Sequence, residues 1–130
     1  MQVFAPPTLA EFVLRALVCA PFLDSAISKL RNEPGAVAEV RGLGLPLPGL
    51  TAPAVIVLQL VAPVMILSGF AVWLGALALA VFTAVATCLA HDWWRFPRSA
   101  RTDVRRAFFE HVAIIGGLLL IAYADVPWRI

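Results

Sequence analysis

The sequence has little charge. Only 14% of its 130 residues are charged, whereas 62% are hydrophobic. A soluble domain of this size could not hide so much apolar surface in its interior, because a small domain has a large surface for its volume. This composition excludes a soluble globular domain. We therefore predict an integral membrane protein whose remaining apolar surface is covered by membrane lipids.

Cysteine is scarce too, and its scarcity excludes a disulfide framework and a thiolate metal site. Cys19 and Cys88 both lie in apolar stretches, where a thiol usually packs as a small hydrophobic group. A redox pair formed across two helices is the alternative interpretation. No residue of the chain is assigned as a metal ligand.

The sequence also lacks a continuous basic face. Its net charge is only +2, and its lysines and arginines are gathered between apolar stretches. Binding to nucleic acid requires a basic patch or stripe, so no nucleic-acid partner is expected. We interpret the basic residues as signals of membrane topology instead.

Four apolar stretches approach the length of a membrane-spanning helix. A hydrocarbon core of about 30 Å needs roughly 20 apolar residues in a helix, and residues 71–90 meet this need without one charge. The predicted spans are residues 9–30, 53–70, 71–91 and 107–124. We therefore predict an all-α, polytopic membrane protein, a four-transmembrane-helix bundle that forms one domain over residues 1–130.

The segments around these spans carry local signals. Thr8 is a predicted N-cap of the first span, and Ser68-Gly69 predicts a tight turn between the second and third. Residues 32–50 contain too much glycine, proline and charge to cross a membrane. They predict a short interfacial helix and a proline-fixed return to the bilayer. Pro127 and Trp128 predict an interfacial stop after the fourth span.

Basic residues predict the orientation of the chain. Eight lysines and arginines lie in or beside segments 31–52 and 92–106, whereas Arg129 is the one basic residue beyond the other span ends. Basic residues are concentrated on the cytoplasmic side of membrane proteins. We therefore predict a multi-pass protein of the bacterial inner membrane, with both segments cytoplasmic and both termini on the periplasmic face.

Arg15 lies within the first predicted span, where an ionised group needs a partner or a role. Glu11 is one helical turn earlier, so a Glu11–Arg15 ion pair is one interpretation. The functional alternative is that Arg15 faces the bundle interior and holds an anionic or quinone-like group beside Gln59.

A second candidate site is a polar cluster at the cytoplasmic end of the bundle. Antiparallel packing of the third and fourth spans would bring two histidines and two carboxylates to the same depth. Such groups can pass a proton, contact a quinone headgroup or bind a divalent metal. They can also be helix caps and interfacial anchors. The cluster comprises His91, Asp92, Glu110, His111, Asp24 and Lys29.

Three stretches of the chain together form a recognisable pattern. The first is Phe22-Leu23-Asp24-Ser25 with Lys29-Leu30, and the second is the Gly-Leu-Pro-Leu-Pro run at residues 44–48. The most specific is TAVATCLAHDWW at residues 83–94, followed by Phe109 and then VAIIGGLLL at residues 112–120. Through these stretches the chain resembles the DoxX family of small four-helix inner-membrane proteins. The resemblance covers nearly all of the chain and implies the four-helix membrane fold.

Two positions depart from the family pattern. Gln59 stands where an acidic residue is expected, and Glu110-His111 stands where many relatives have Lys-Asn. The resemblance therefore does not by itself assign the proton-linked role of the family's span-two carboxylate to this chain, and Glu110-His111 is interpreted as a specialisation. Some family members are similar to subunits of thiosulfate:quinone oxidoreductase, and others are linked to membrane complexes of redox and thiol stress.

The function predicted from these features is that of an accessory or scaffold subunit of a larger, redox-linked membrane assembly. It would dock other protein subunits through a basic loop and would be non-catalytic itself. The alternatives are a quinone-interacting oxidoreductase subunit, with quinone as its cofactor, and a small transporter or lipid-handling protein. The docking residues are Arg95, Arg98, Arg101, Arg105 and Arg106.

Overall fold

The computed structural model describes residues 3–125, and the predicted all-α class is confirmed for them. The α-helices are α1 (Leu9–Arg31), α2 (Glu33–Gly42), α3 (Pro48–Ser68), α4 (Val72–Ala90) and α5 (Arg98–Asp125). A 3-10 helix at Trp93–Arg95 precedes α5. The described residues contain no strand, only an isolated antiparallel bridge between Phe4 and Phe70.

Helix α1 begins at the residue that the sequence predicts. Thr8 is its N-cap, and the Thr8 hydroxyl accepts a hydrogen bond from the Glu11 backbone N–H at 3.1 Å. The Glu11 carboxylate accepts in return from the Thr8 backbone N–H at 3.0 Å. This reciprocal capping box satisfies two backbone donors that a helix start would otherwise leave unpaired.

A glycine makes the turn between α3 and α4, as predicted. Gly69 ends α3 in the left-handed region, with φ +91°. Its carbonyl accepts a hydrogen bond from the Ala5 backbone N–H at 3.0 Å. A Cβ atom at Gly69 would lie 2.1 Å from the Ala5 carbonyl oxygen, so glycine is required both for its backbone conformation and for this close approach.

The long helices run alternately up and down. Helix α3 packs between α1 and α4, and α4 packs between α3 and α5, whereas α1 and α5 touch only sparingly. Helix α2 lies against α3 through Ala36, Val40 and Ala52. We call the end that holds Leu9, Ser68 and Val72 the turn end, and the end that holds α2 and the 3-10 helix the α2 end.

The core lies where these helices meet. Its largest fully buried side chains are Ile66 of α3, Leu79 of α4 and Leu118 of α5. Gly75 brings α4 close to α3, because a Cβ atom there would lie 3.0 Å from the Ala62 carbonyl oxygen. Small residues allow such close backbone approach in membrane bundles, where no hydrophobic effect drives helices together.

Three stretches are long and apolar enough to cross a membrane. They are Pro48–Ser68, Val72–Arg95 and Arg98–Asp125. Helix α1 is not among them, since it carries Glu11, Arg15, Asp24 and Lys29. The structure therefore supports three candidate spans within residues 3–125, not the four that the sequence predicts.

Both predicted connecting segments contain more helix than the sequence predicts. In the first, residues 33–42 form the predicted short helix, α2, but α3 begins at Pro48 and not at residue 53. The prediction of a loop over residues 92–106 was wrong for its second half, because α5 begins at Arg98. The first two turns of α5 are polar, so they lack the apolar pattern that would predict a helix there. Pro127, Trp128 and Arg129 lie outside the described residues.

We predict that Gly69→Ala destabilises the protein by at least about 2 kcal/mol, because a left-handed non-glycine residue is strained and its Cβ would collide with Ala5. Thermal unfolding in mild detergent measures this loss. Gly116→Ala is the matched control, since nothing lies within 4 Å of a Cβ built at Gly116. Equal stability of the two variants would contradict the assigned turn geometry.

Candidate functional site

A cavity of about 180 Å³ lies inside the bundle towards the α2 end. All five α-helices contribute to its wall, which combines aromatic and aliphatic side chains with a similar number of polar ones. We call it the interior cavity. Its polar lining residues are Ser25, Lys29, Glu39, Gln59, Thr83, Thr87, His91 and His111.

Gln59 of α3 is the most unusual of these residues. Its side chain is only 4% exposed, and the side-chain oxygen Oε1 has no hydrogen-bond partner. Pro63, four residues later, has no N–H to offer the Gln59 backbone carbonyl. An unpaired buried polar group costs about 1–3 kcal/mol, so Gln59 is costly here unless a molecule in the cavity binds it.

Two threonines of α4 join Gln59 in the cavity wall. The Thr83 hydroxyl donates to the Leu79 carbonyl at 2.6 Å, whereas the Thr87 Oγ1 is buried without a partner. Sequence reasoning overlooked both residues. Thr83, Thr87 and His91 are spaced four residues apart, and this spacing puts them on one face of an otherwise apolar helix. That pattern could have identified them.

The two histidines face each other across α4 and α5, with ring centroids 4.8 Å apart. His111 Nδ1 lies 2.7 Å from the Ala107 carbonyl oxygen. Because a carbonyl can only accept, Nδ1 carries the proton that it donates. In neutral His111, Nε2 therefore remains a hydrogen-bond acceptor.

Lys29 lies at the junction of two cavities. Its ammonium group donates to the Ser25 hydroxyl at 2.5 Å. It lines both the interior cavity and a neighbouring open cleft of about 450 Å³ between α1 and α2. Asp24 and Glu39 also line this cleft. The cleft therefore brings a polar surface up to the rim of the interior cavity.

The predicted polar cluster is only partly assembled. His91, His111 and Lys29 line the interior cavity, while Asp24 lies in the cleft. Asp92 pairs with Arg95 at 3.5 Å, and Glu110 is exposed. Within residues 3–125, no group of three or more His, Cys, Asp or Glu side chains is arranged to hold a metal ion.

Arg15 lies apart from this cavity, nearer the turn end. Its guanidinium pairs with the Glu11 carboxylate at 3.4 Å and donates to the Ile66 carbonyl at 3.1 Å. The Glu11–Arg15 pair therefore forms as the sequence suggests. Ile66 is two helical turns beyond Gln59, a rise of about 10 Å. The structure does not bring Arg15 into the cavity that Gln59 lines.

The five predicted docking arginines have different surroundings. Arg95 and Arg106 are exposed and form ion pairs with Asp92 and Asp103, at 3.5 and 3.7 Å. Arg105 stacks over the Trp93 ring, with 5.4 Å from its Cζ to the ring centroid.

The remaining two arginines differ in how firmly they are held. Both Nε and Nη2 of Arg101 donate to the Phe96 carbonyl. Arg98 is exposed at the first residue of α5. Arg101 therefore fixes the entry into α5, whereas Arg98 is open to the solvent.

Comparisons with known proteins agree with the membrane character of this fold. The DoxX family model matches residues 10–92, more than half of the chain. The chain is also 26% identical over 110 residues to Inner membrane protein YphA of Escherichia coli strain K12. The aligned region covers 85% of this chain and 79% of that protein. No solved structure matches the chain significantly.

Proposed function

Because this chain belongs to the DoxX family and is a multi-pass inner-membrane protein, we propose that it is an accessory subunit of a larger, redox-linked membrane assembly. Its role is to anchor a partner at the membrane, not to catalyse a reaction alone. The observation that carries this proposal is the arginine-bearing segment 95–106, which joins α4 to the membrane part of α5.

The charge of this segment suits an acidic partner. It contains five arginines and one aspartate, Asp103. Arg98 and Arg105 are exposed, and neither forms an ion pair within residues 3–125. Exposed cationic groups steer and align an oppositely charged surface, with an effect that salt weakens. An acidic face on a soluble subunit is the complementary partner.

Helix α5 also has room for a neighbour in the membrane. Only 6% of the residues in its most apolar stretch are buried within the chain, whereas the corresponding share is 33% for α3 and 39% for α4. Both lipid and another apolar helix can cover such a surface. This exposed face supports a place for α5 beside a second membrane subunit.

We predict that Arg98→Glu combined with Arg105→Glu lowers the amount of co-purifying partner by about tenfold, because it reverses two uncompensated charges. Quantitative mass spectrometry after purification in mild detergent at low salt measures this loss. Arg31→Glu combined with Arg41→Glu is the control, since both arginines are exposed at the same end of the bundle. Equal loss in both variants, or no stoichiometric partner of the unmodified chain, would refute docking by this segment.

The proposed topology has four crossings, with α1 as the first. Its support is the alternating direction of the long helices, since short connections join α3 to α4 and α4 to α5 and the Ala5–Gly69 hydrogen bond places the start of α1 beside the end of α3. The concentration of basic residues at the α2 end also supports it. The Glu11–Arg15 pair lowers the cost of placing α1 in lipid. In this topology the α2 end is cytoplasmic and both termini are periplasmic.

Cysteine labelling tests this orientation in a Cys88→Ser background, where the remaining Cys19 is fully buried. We expect an impermeant maleimide to label Ser68→Cys in cells with a permeabilised outer membrane. Ser99→Cys should react only after the inner membrane is opened. The background chain without an added cysteine is the control. The opposite labelling pattern would reverse the proposed orientation.

A second candidate function is supported by the interior cavity. In this proposal the cavity holds a quinone headgroup, with Gln59 as its principal polar contact. Its volume of about 180 Å³ is sufficient for one six-membered ring, since a dry cavity of about 150 Å³ can hold benzene. Phe22 and Phe82 add aromatic surface to its wall.

We predict that Gln59→Leu lowers the quinone that co-purifies with the protein by about tenfold. Leucine keeps similar volume but removes the buried amide, and an apolar replacement at an unsatisfied position preserves or raises stability. Quinone content per protein is measured by extraction and chromatography. Val57→Ile, on an exposed face of the same helix, is the control. Unchanged quinone content in Gln59→Leu would contradict this site.

A further inference from the structure

We propose that one exposed face of α5 binds an anionic phospholipid from the leaflet at the α2 end. In this site the Arg105 guanidinium holds the headgroup phosphate, and the apolar side chains that follow on the same face hold an acyl chain. The site goes beyond the proposed docking of a subunit and does not depend on it.

Arg105 is held in place while its hydrogen-bonding groups remain open. Its Cζ lies 5.4 Å from the centroid of the Trp93 ring and 5.8 Å from that of the Phe109 ring. Within residues 3–125, no ion pair or hydrogen bond occupies its N–H groups. A guanidinium that two aromatic rings already hold loses less freedom when its planar fork of N–H groups binds a phosphate.

Aromatic side chains place Arg105 at the membrane interface. Trp94 and Phe109 are each 50% exposed, and Trp94 packs edge-on against Phe108, with ring centroids 5.8 Å apart. Tryptophan is enriched at the level of the lipid headgroups. The membrane part of α5 follows directly, from Ala107 on. Arg105 therefore lies at the depth where the phosphates of a leaflet lie.

The other arginines of segment 95–106 are less suited to a lipid phosphate. Arg95 and Arg106 pair with aspartates, and Arg101 donates to a backbone carbonyl. Arg98 is exposed but lies two helical turns before Arg105, about 10 Å further from the membrane part of α5. Arg98 therefore stays available to a soluble subunit.

An apolar stripe continues from Arg105 along the same side of α5. Phe109, Val112 and Gly116 follow at spacings of four, three and four residues, which keep them on one face of a helix. All three are exposed, and nothing lies within 4 Å of a Cβ atom built at Gly116. The helix rises about 16 Å from Arg105 to Gly116, close to the roughly 15 Å of hydrocarbon in one leaflet. An acyl chain below the phosphate therefore has an open surface of matching length.

Charge complementarity identifies the lipid as anionic. The nearest acidic residues do not offset Arg105, because Asp103 pairs with Arg106 at 3.7 Å and Glu110 lies on the far side of the helix. A basic segment beside a membrane attracts anionic headgroups. In a zwitterionic phospholipid the headgroup cation cancels the charge of the phosphate, so the guanidinium gains less from it.

The test titrates the purified full chain in mild detergent with phosphatidylglycerol or with phosphatidylcholine of identical acyl chains. Native mass spectrometry counts the bound lipids and gives the two dissociation constants. We expect phosphatidylglycerol to bind at least about fivefold more tightly. Because no other subunit is present, the result does not depend on the proposed docking. Equal affinities for the two lipids would overturn the proposal.

We expect Arg105→Gln to weaken phosphatidylglycerol binding by about fivefold and to leave phosphatidylcholine binding unchanged, because it removes the contact with the phosphate. Arg41→Gln is the matched control, since it removes the same charge from an exposed position of α2 at the same end of the bundle. Equal losses in the two variants would indicate diffuse attraction to a basic surface and would overturn a site at Arg105.

Phe109→Leu keeps the stripe apolar but removes one of the two rings that hold the guanidinium. We expect it to weaken phosphatidylglycerol binding by about threefold, with circular dichroism verifying that the fold is intact. Phe12→Leu, at an exposed position of α1, is its control. A loss no larger than that of Phe12→Leu would overturn the placement of the headgroup beside these rings.

Glycerol phosphate distinguishes a lipid site from a site for free phosphate, because it carries the phosphate without acyl chains. We expect a large molar excess of glycerol phosphate to displace none of the bound phosphatidylglycerol. Displacement would show that the phosphate alone supplies the binding, and it would overturn the assignment of a lipid to this face of α5.

Discussion

In a bilayer, polar groups that lie away from water must find partners within the protein. This constraint is met throughout the turn end. Arg15 bridges α1 and α3 by binding both the Glu11 carboxylate and the Ile66 carbonyl. The Asp125 carboxylate accepts from the Trp73 backbone N–H at 3.0 Å, so α5 caps the start of α4. The four long helices are joined at this end by charged and backbone groups.

The interior of the bundle, between its middle and the α2 end, departs from the same constraint. Gln59 and Thr87 are buried there without side-chain hydrogen-bond partners, and Pro63, one turn after Gln59, has no N–H to donate to the Gln59 carbonyl. Departures from a fully satisfied interior are expected at functional sites, where a ligand completes what the fold leaves open. The contrast between the turn end and the interior of this small bundle is the main structural argument for a binding site in the interior cavity.

Local signals in the sequence are sufficient to predict the start of α1 and the end of α3. Thr8 with Glu11, and Ser68 with Gly69, act within a few residues, so the caps and turns could be predicted directly. The start of α5 could not be predicted in this way. Its first two turns, from Arg98, are stabilised by contacts such as Arg101 with Phe96, and they carry no apolar periodicity.

The candidate site was less predictable because it depends on register between helices. His91, His111 and Lys29 were expected to meet, and the structure brings them to one cavity. The sequence instead suggests Gln59 as a neighbour of Arg15, because it does not reveal how deep each residue of α3 lies relative to α1. Thr87 is chemically ordinary in sequence, and only its burial without a partner distinguishes it.

The length of α5 has a mechanical consequence. At 28 residues it measures about 42 Å, which exceeds the hydrocarbon thickness by roughly 12 Å. Arg98 and His111 lie on the same unbroken helix, which has no hinge between them. The arginine and the imidazole are therefore held at a fixed spacing of about 20 Å along the helix axis. The extensive packing of α5 on α4 holds this helix against the bundle.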